Sequence, residues 1–172
     1  MTLMLVLSFI GLFFFMRRSR EKTYSIKWIT SLNKYRWFQN SWMIGVFLFG
    51  MNLLLFGTTA LILYAITFMT IPYIHLVIMV TAPVASILVW QSIVYTREWM
   101  KGERLKAGMV GSSFYLFFFL FILYKWVTYV PQYPGEDGFM AAIGFFLGLL
   151  VTGMAFVICF LMIVFLPNHR RM

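Results

Sequence analysis

The chain is 172 residues long, 62% hydrophobic and only 11% charged, with a net charge of +9. Soluble domains carry about a quarter charged residues, so this composition cannot cover a soluble exterior and belongs to an integral membrane protein. The excess of basic residues does not point to nucleic acid, because they flank apolar runs and match no nucleic-acid-binding module; anionic lipid headgroups suit that placement better.

Residues 2–16 form an apolar, uncharged run. Arg17 and Arg18 follow the run instead of preceding it, and no A-x-A cleavage site comes before them, so an uncleaved first span is expected rather than a secretory signal. As a helix it reaches only about 24 Å against a hydrocarbon core of about 30 Å, which makes it short for a span.

Between Arg17 and Asn40 the chain carries Arg17, Arg18, Arg20, Lys22, Lys27, Lys34 and Arg36 against the single acid Glu21. If residues 23–38 are helical, Tyr24, Trp28, Leu32, Tyr35 and Phe38 gather on one side and Thr23, Lys27, Thr30 and Lys34 on the other. That pattern predicts an amphipathic helix in the headgroup layer, with Arg17, Arg18, Arg20, Lys27, Lys34 and Arg36 against anionic lipid. Snorkelling extensions of the neighbouring spans, or a docking surface for a cytoplasmic partner, would use the same residues.

Four longer apolar runs follow, at 41–69, 73–95, 108–130 and 139–166. Pro72 ends the first of them, and the connector from Pro131 to Gly138 is a turn by its Pro and Gly content. The expected fold is all-α: a polytopic bundle of five transmembrane helices, the first one short, plus the interfacial helix, in one domain over 1–172. No connection is long enough to bury a core of its own.

Five spans place alternate connections on opposite faces. Segments 17–40, 96–106 and the tail then share one face, and together they hold thirteen of the fourteen basic residues, Lys125 being the exception. The positive-inside rule makes that face cytoplasmic, with the amino terminus outside and the carboxy terminus inside. A bacterial cytoplasmic membrane is the expected location. Trp28, Trp37, Trp42, Trp90 and Trp99 map near the inner interface and Trp126 near the outer one, as an aromatic belt does.

Polar residues in hydrocarbon are costly and point to function. The candidates are Asn52 near the middle of its span, Thr59 two turns on, His75 at the outer end of the next span, and Gln91 near that span's inner end. No Asp, Glu or Arg falls inside these spans, which counts against an ion-coupled carrier. Asn52 is expected to hydrogen-bond a neighbouring helix rather than a substrate. Pro83 is expected to kink its span. In the last span Ala141, Gly144, Gly148, Thr152 and Ala155, continued by Cys159, recur at spacings of three and four as a close-packing seam. The Phe-rich run 114–121 reads as packing or lipid-facing surface.

Catalysis has little to stand on: His75 and His169 lie on opposite faces, Cys159 is the only cysteine, and no nucleophile–base pair, metal set, haem pair or phosphate loop is present in the sequence. No cofactor is expected. The leading expectation is a non-catalytic small subunit, assembly factor or regulator of a larger membrane complex, with a membrane protein or further copies of itself as partner. A small oligomeric transporter or channel lined by Asn52, Thr59, His75 and Gln91 is the alternative, followed by a protein protecting against a membrane-active toxin.

Overall fold

The computed structural model describes residues 29, 31–69, 73–96, 99–131 and 138–166. Four long helices dominate: α1 (Ser41–Ile66), α2 (Ile74–Tyr95), α3 (Lys101–Val127) and α4 (Gly138–Phe165). Each is long and apolar enough to cross a membrane, and no strand occurs among the described residues. The short first span expected at 2–16 lies outside the described residues, as do Arg17, Arg18, Arg20 and Lys27.

The interfacial helix expected to run to Phe38 differs in its described part. Leu32–Lys34 and Arg36–Gln39 are separate 3-10 turns with extended backbone at Tyr35 between them, and Lys34 and Arg36 are exposed. The break lets Phe38 drop into the core, fully buried, while Tyr35 stays outside. Phe38 then packs edge-on to Phe47 at 6.0 Å, tying the turn to the start of α1. Asn40 caps that start, its side chain accepting from the Trp42 N–H at 3.0 Å.

Helix α3 begins seven residues before the span expected at 108–130. Lys101 to Lys106 form its first turns instead of a loop, and Glu103 accepts from the Met100 N–H at 3.4 Å. Arg104 is thereby carried into the helix, 8% exposed, where its guanidinium donates to the Leu166 carbonyl at the end of α4. Arg104, read from the sequence as part of the 96–106 loop, thus lies in the first turn of α3. A cation at a helix carboxy terminus meets both free carbonyls and the negative end of the dipole, which is why the charge is tolerated there.

The helices pack in a ring, α1 against α3, α3 against α4, α4 against α2, and α2 back against α1; the diagonal pairs make no close backbone approach. The α3/α4 and α1/α3 faces are the extensive ones, and both are opened by small residues. A Cβ at Gly45 would lie 2.7 Å from Val110 Cβ, one at Gly108 3.1 Å from Val164, and one at Gly111 only 2.1 Å from Leu48 Cδ2. Because lipid tails are as apolar as Leu, close packing rather than water exclusion drives such contacts. Alongside them runs an aromatic ladder, Phe49 on Phe114 at 5.5 Å and Phe56 on Phe118 at 4.5 Å. The Phe-rich run thus divides by helical phase, Phe114 buried within the bundle and Phe117 and Phe121 outside it.

Helix α2 is attached along only part of its length. Residues 87–94 are buried except for half-exposed Leu88, whereas no residue in 74–86 is fully buried, and the change falls one turn after Pro83. A proline removes one backbone hydrogen bond and clashes with the preceding turn, which makes this a natural place for a helix to leave its neighbours.

Gly111→Ala is expected to destabilise the bundle by about 1–3 kcal/mol through overpacking, measured as a lower midpoint of SDS-driven unfolding. Leu48→Ala in the same chain clears the space and should recover part of that loss; simply additive losses would contradict the packing described.

Candidate functional site

Asn52 is fully buried near the middle of α1, and its amide reaches all three other helices. Its Oδ1 accepts from Trp90 Nε1 of α2 at 2.7 Å. Its Nδ2 donates to the Gly111 carbonyl of α3 at 3.0 Å and to Cys159 Sγ of α4 at 3.7 Å. The amide orientation follows from its partners, since an indole N–H can only donate and a carbonyl can only accept. Three of the four bonds an Asn side chain can make are therefore used, on three different helices.

Sequence position explains each partner. Gly111 lacks a side chain, so α1 approaches closely enough for Asn52 to reach a main-chain oxygen. Cys159, buried, continues the small-residue face of α4 one turn beyond Ala155. Trp90, expected in the interfacial belt, is only 3% exposed and stands edge-on to Tyr115 at 6.1 Å. Its N–H needs a buried acceptor, and Asn52 is that acceptor. Trp99 behaves similarly, buried with its N–H on the Val94 carbonyl at 2.9 Å. Trp37, Trp42 and Trp126 are exposed, as belt residues would be.

Of the other candidates, Thr59 is half-buried and donates to the Leu55 carbonyl of its own helix at 2.7 Å. Gln91 is buried beside Trp90, and His75 is exposed on the first turn of α2. The four expected lining residues do not converge: Asn52 and Gln91 lie in the packed interior and His75 lies at the far end of α2.

The seam on α4 is used unevenly. A Cβ at Gly144 would meet nothing within 4 Å, whereas one at Gly148 would lie 3.3 Å from Ile122 of α3. Ala141 and Ala155 are half-buried, and Thr152 is buried with its hydroxyl on the Gly148 carbonyl at 2.8 Å. The tightest approaches come instead from the start of α3, where Ala107, Gly108, Gly111 and Ser112 repeat small residues four apart. That repeat lies at the very start of the span expected at 108–130, next to residues 96–106 read as a loop.

Beyond Asn52, away from the basic end, the departure of α2 leaves a cavity of about 390 Å³. Leu55, Phe56, Thr59 and Leu63 of α1 form one wall, Ala82, Ser86 and Ile87 of α2 another, and Thr152, Ala155 and Ile158 of α4 a third, with Trp90 and Tyr115 also contributing. Tyr115 pairs with Ser86, whose own hydroxyl donates to the Ala82 carbonyl at 3.1 Å. Among the described residues no three His, Cys, Asp or Glu side chains gather as a metal set.

With this geometry in hand, comparison with known proteins returns nothing: no family model, no curated protein and no solved structure matches the chain.

Asn52→Leu keeps the forked shape but strands the Trp90 N–H, and a loss of about 1–2 kcal/mol is expected in SDS unfolding. Trp90→Phe should cost less in the Asn52→Leu background than in the natural chain; full additivity would mean the two side chains are not bonded.

Proposed function

We propose that the protein is a non-catalytic component of a membrane, a small subunit, assembly factor or regulator of a larger membrane complex. The observation that carries this reading is the use of Asn52 as a structural joint. A fully buried polar side chain near the bundle's centre is bonded to three helices and is not presented to a solute. A polar group held in this way specifies an arrangement of helices without forming a path. The transport reading is less favoured, because Asn52, Thr59, His75 and Gln91 do not share a conduit. Short connections support the same view, since they leave the helix faces as the surfaces through which the protein can act.

In the same proposal the end bearing Lys34, Arg36, Arg104 and Lys106 is cytoplasmic, in a bacterial cell membrane, with the basic segment 17–40 against anionic headgroups. The amino terminus is then outside and the carboxy terminus inside, by the charge asymmetry of the connections. Met100 and Pro131 lie at opposite ends of α3 and are exposed, while Cys159 is fully buried. A membrane-impermeant maleimide applied to intact cells should therefore label Pro131→Cys and leave Met100→Cys unlabelled until the membrane is opened. The reverse pattern would invert the orientation.

Mild extraction from the native membrane, followed by mass determination and identification of co-purifying chains, tests the role itself. A stoichiometric, unrelated membrane protein is the expected result. A homogeneous homo-oligomer alone, able to pass solutes in vesicles, would overturn it.

A further inference from the structure

We infer that the cavity between α1, α2 and α4 is a binding site for a hydrocarbon chain of a membrane lipid. This goes beyond the role proposed above and does not depend on it.

The occupant is decided by chemistry and size. Three lining hydroxyls spend their protons within the chain, Thr59 on Leu55, Ser86 on Ala82 and Thr152 on Gly148, and Tyr115 is paired with Ser86. The Trp90 N–H is held by Asn52. An ordered water needs two to four polar partners, and a wall of Leu, Phe, Ile, Ala and Met side chains offers too few. Water is thus a poor filling for this space.

A whole partner helix is too bulky to enter this space. A helix about 10–12 Å across, over the roughly 12 Å from the level of Leu55 to that of Leu63, occupies on the order of 1,000 Å³. The cavity is about 390 Å³. At about 30 Å³ per water-sized group, it takes on the order of a dozen methylene-sized units, the bulk of a single acyl chain.

The mouth agrees with that occupant. Met79 and Pro83 on α2 and Val151 on α4 line the cavity and are themselves exposed, so it opens sideways between two helices. All three lie well inside their helices, at a depth where the bilayer presents hydrocarbon. An acyl chain can enter there without crossing a polar layer, leaving its headgroup at the end of the bundle remote from the basic turns.

The test uses the full chain in vesicles of phosphatidylethanolamine and phosphatidylglycerol, doped with a phosphatidylglycerol whose acyl chain carries a diazirine. After irradiation, adducts are mapped by peptide mass spectrometry. Leu55 and Ile158 inside the cavity are compared with Leu53 and Leu54, which are exposed on the outside of α1. A several-fold excess on the cavity residues is expected. Ala155→Phe and Ala82→Phe fill the space from opposite walls, and either one, if it elutes as a folded species, should abolish the excess while leaving the outside adducts in place. Equal labelling inside and outside, or an excess that persists in a folded filled variant, would overturn the site. In native membranes, crosslinks from a diazirine amino acid at position 158 to another protein instead of lipid would overturn it too.

Discussion

The amide of Asn52 joins α1 to α2, α3 and α4 at one level, and the rest of the bundle is arranged so that it can. In water, apolar helices associate because association removes surface from solvent. In hydrocarbon that driving force is absent, and helix pairing is left to close packing and to polar groups that have no other partner. A buried Asn among Leu, Phe and Ile side chains is satisfied in few arrangements. Here satisfaction requires an indole N–H on one side, a bare main-chain carbonyl on another and a thiol on the third. Any rotation of one helix that withdraws a partner leaves a stranded group, so the joint specifies register as well as proximity.

Small residues make this joint geometrically possible. Gly111 gives up its side chain so that Leu48 and Asn52 can come against the α3 backbone, and Gly45 and Gly108 perform the same service toward Val110 and Val164. Arg104 supports the arrangement from the basic end, holding the Leu166 carbonyl where α4 stops. Helices α1 and α4 make their extensive contacts with α3, while α2 is held by its carboxy-terminal half. The cavity lies where α2 carries no fully buried residue, toward its amino-terminal half.

That asymmetry separates two kinds of polar residue that look alike in a hydropathy profile. Thr59, Ser86 and Thr152 return their protons to their own helices and leave an apolar surface behind, whereas Asn52 and Trp90 cannot do so and must reach across. The first kind shapes a space suited to hydrocarbon, and the second holds the walls of that space apart.

Several features were readable from the chain alone, because they depend on local chemistry. Four apolar runs bounded by Pro72, the Pro131–Gly138 connector and basic clusters yield four long helices, since length and hydropathy suffice for that inference. The centrality of Asn52 and the alignment of Thr152, Ala155 and Cys159 on one face of α4 were also legible, the first from the cost of an amide in hydrocarbon and the second from helical periodicity. What the tertiary structure alone decided was partnership. Trp90 reads as a belt residue because an indole near a helix end suits the interface, and only the proximity of Asn52 draws it inside. Arg104 reads as a loop residue because a charge is costly in a span, and only the end of α4 makes it tolerable there. Periodicity places a side chain on a face of its own helix, but which helix stands opposite depends on contacts between residues as far apart as 52 and 159, and those contacts have no local signature.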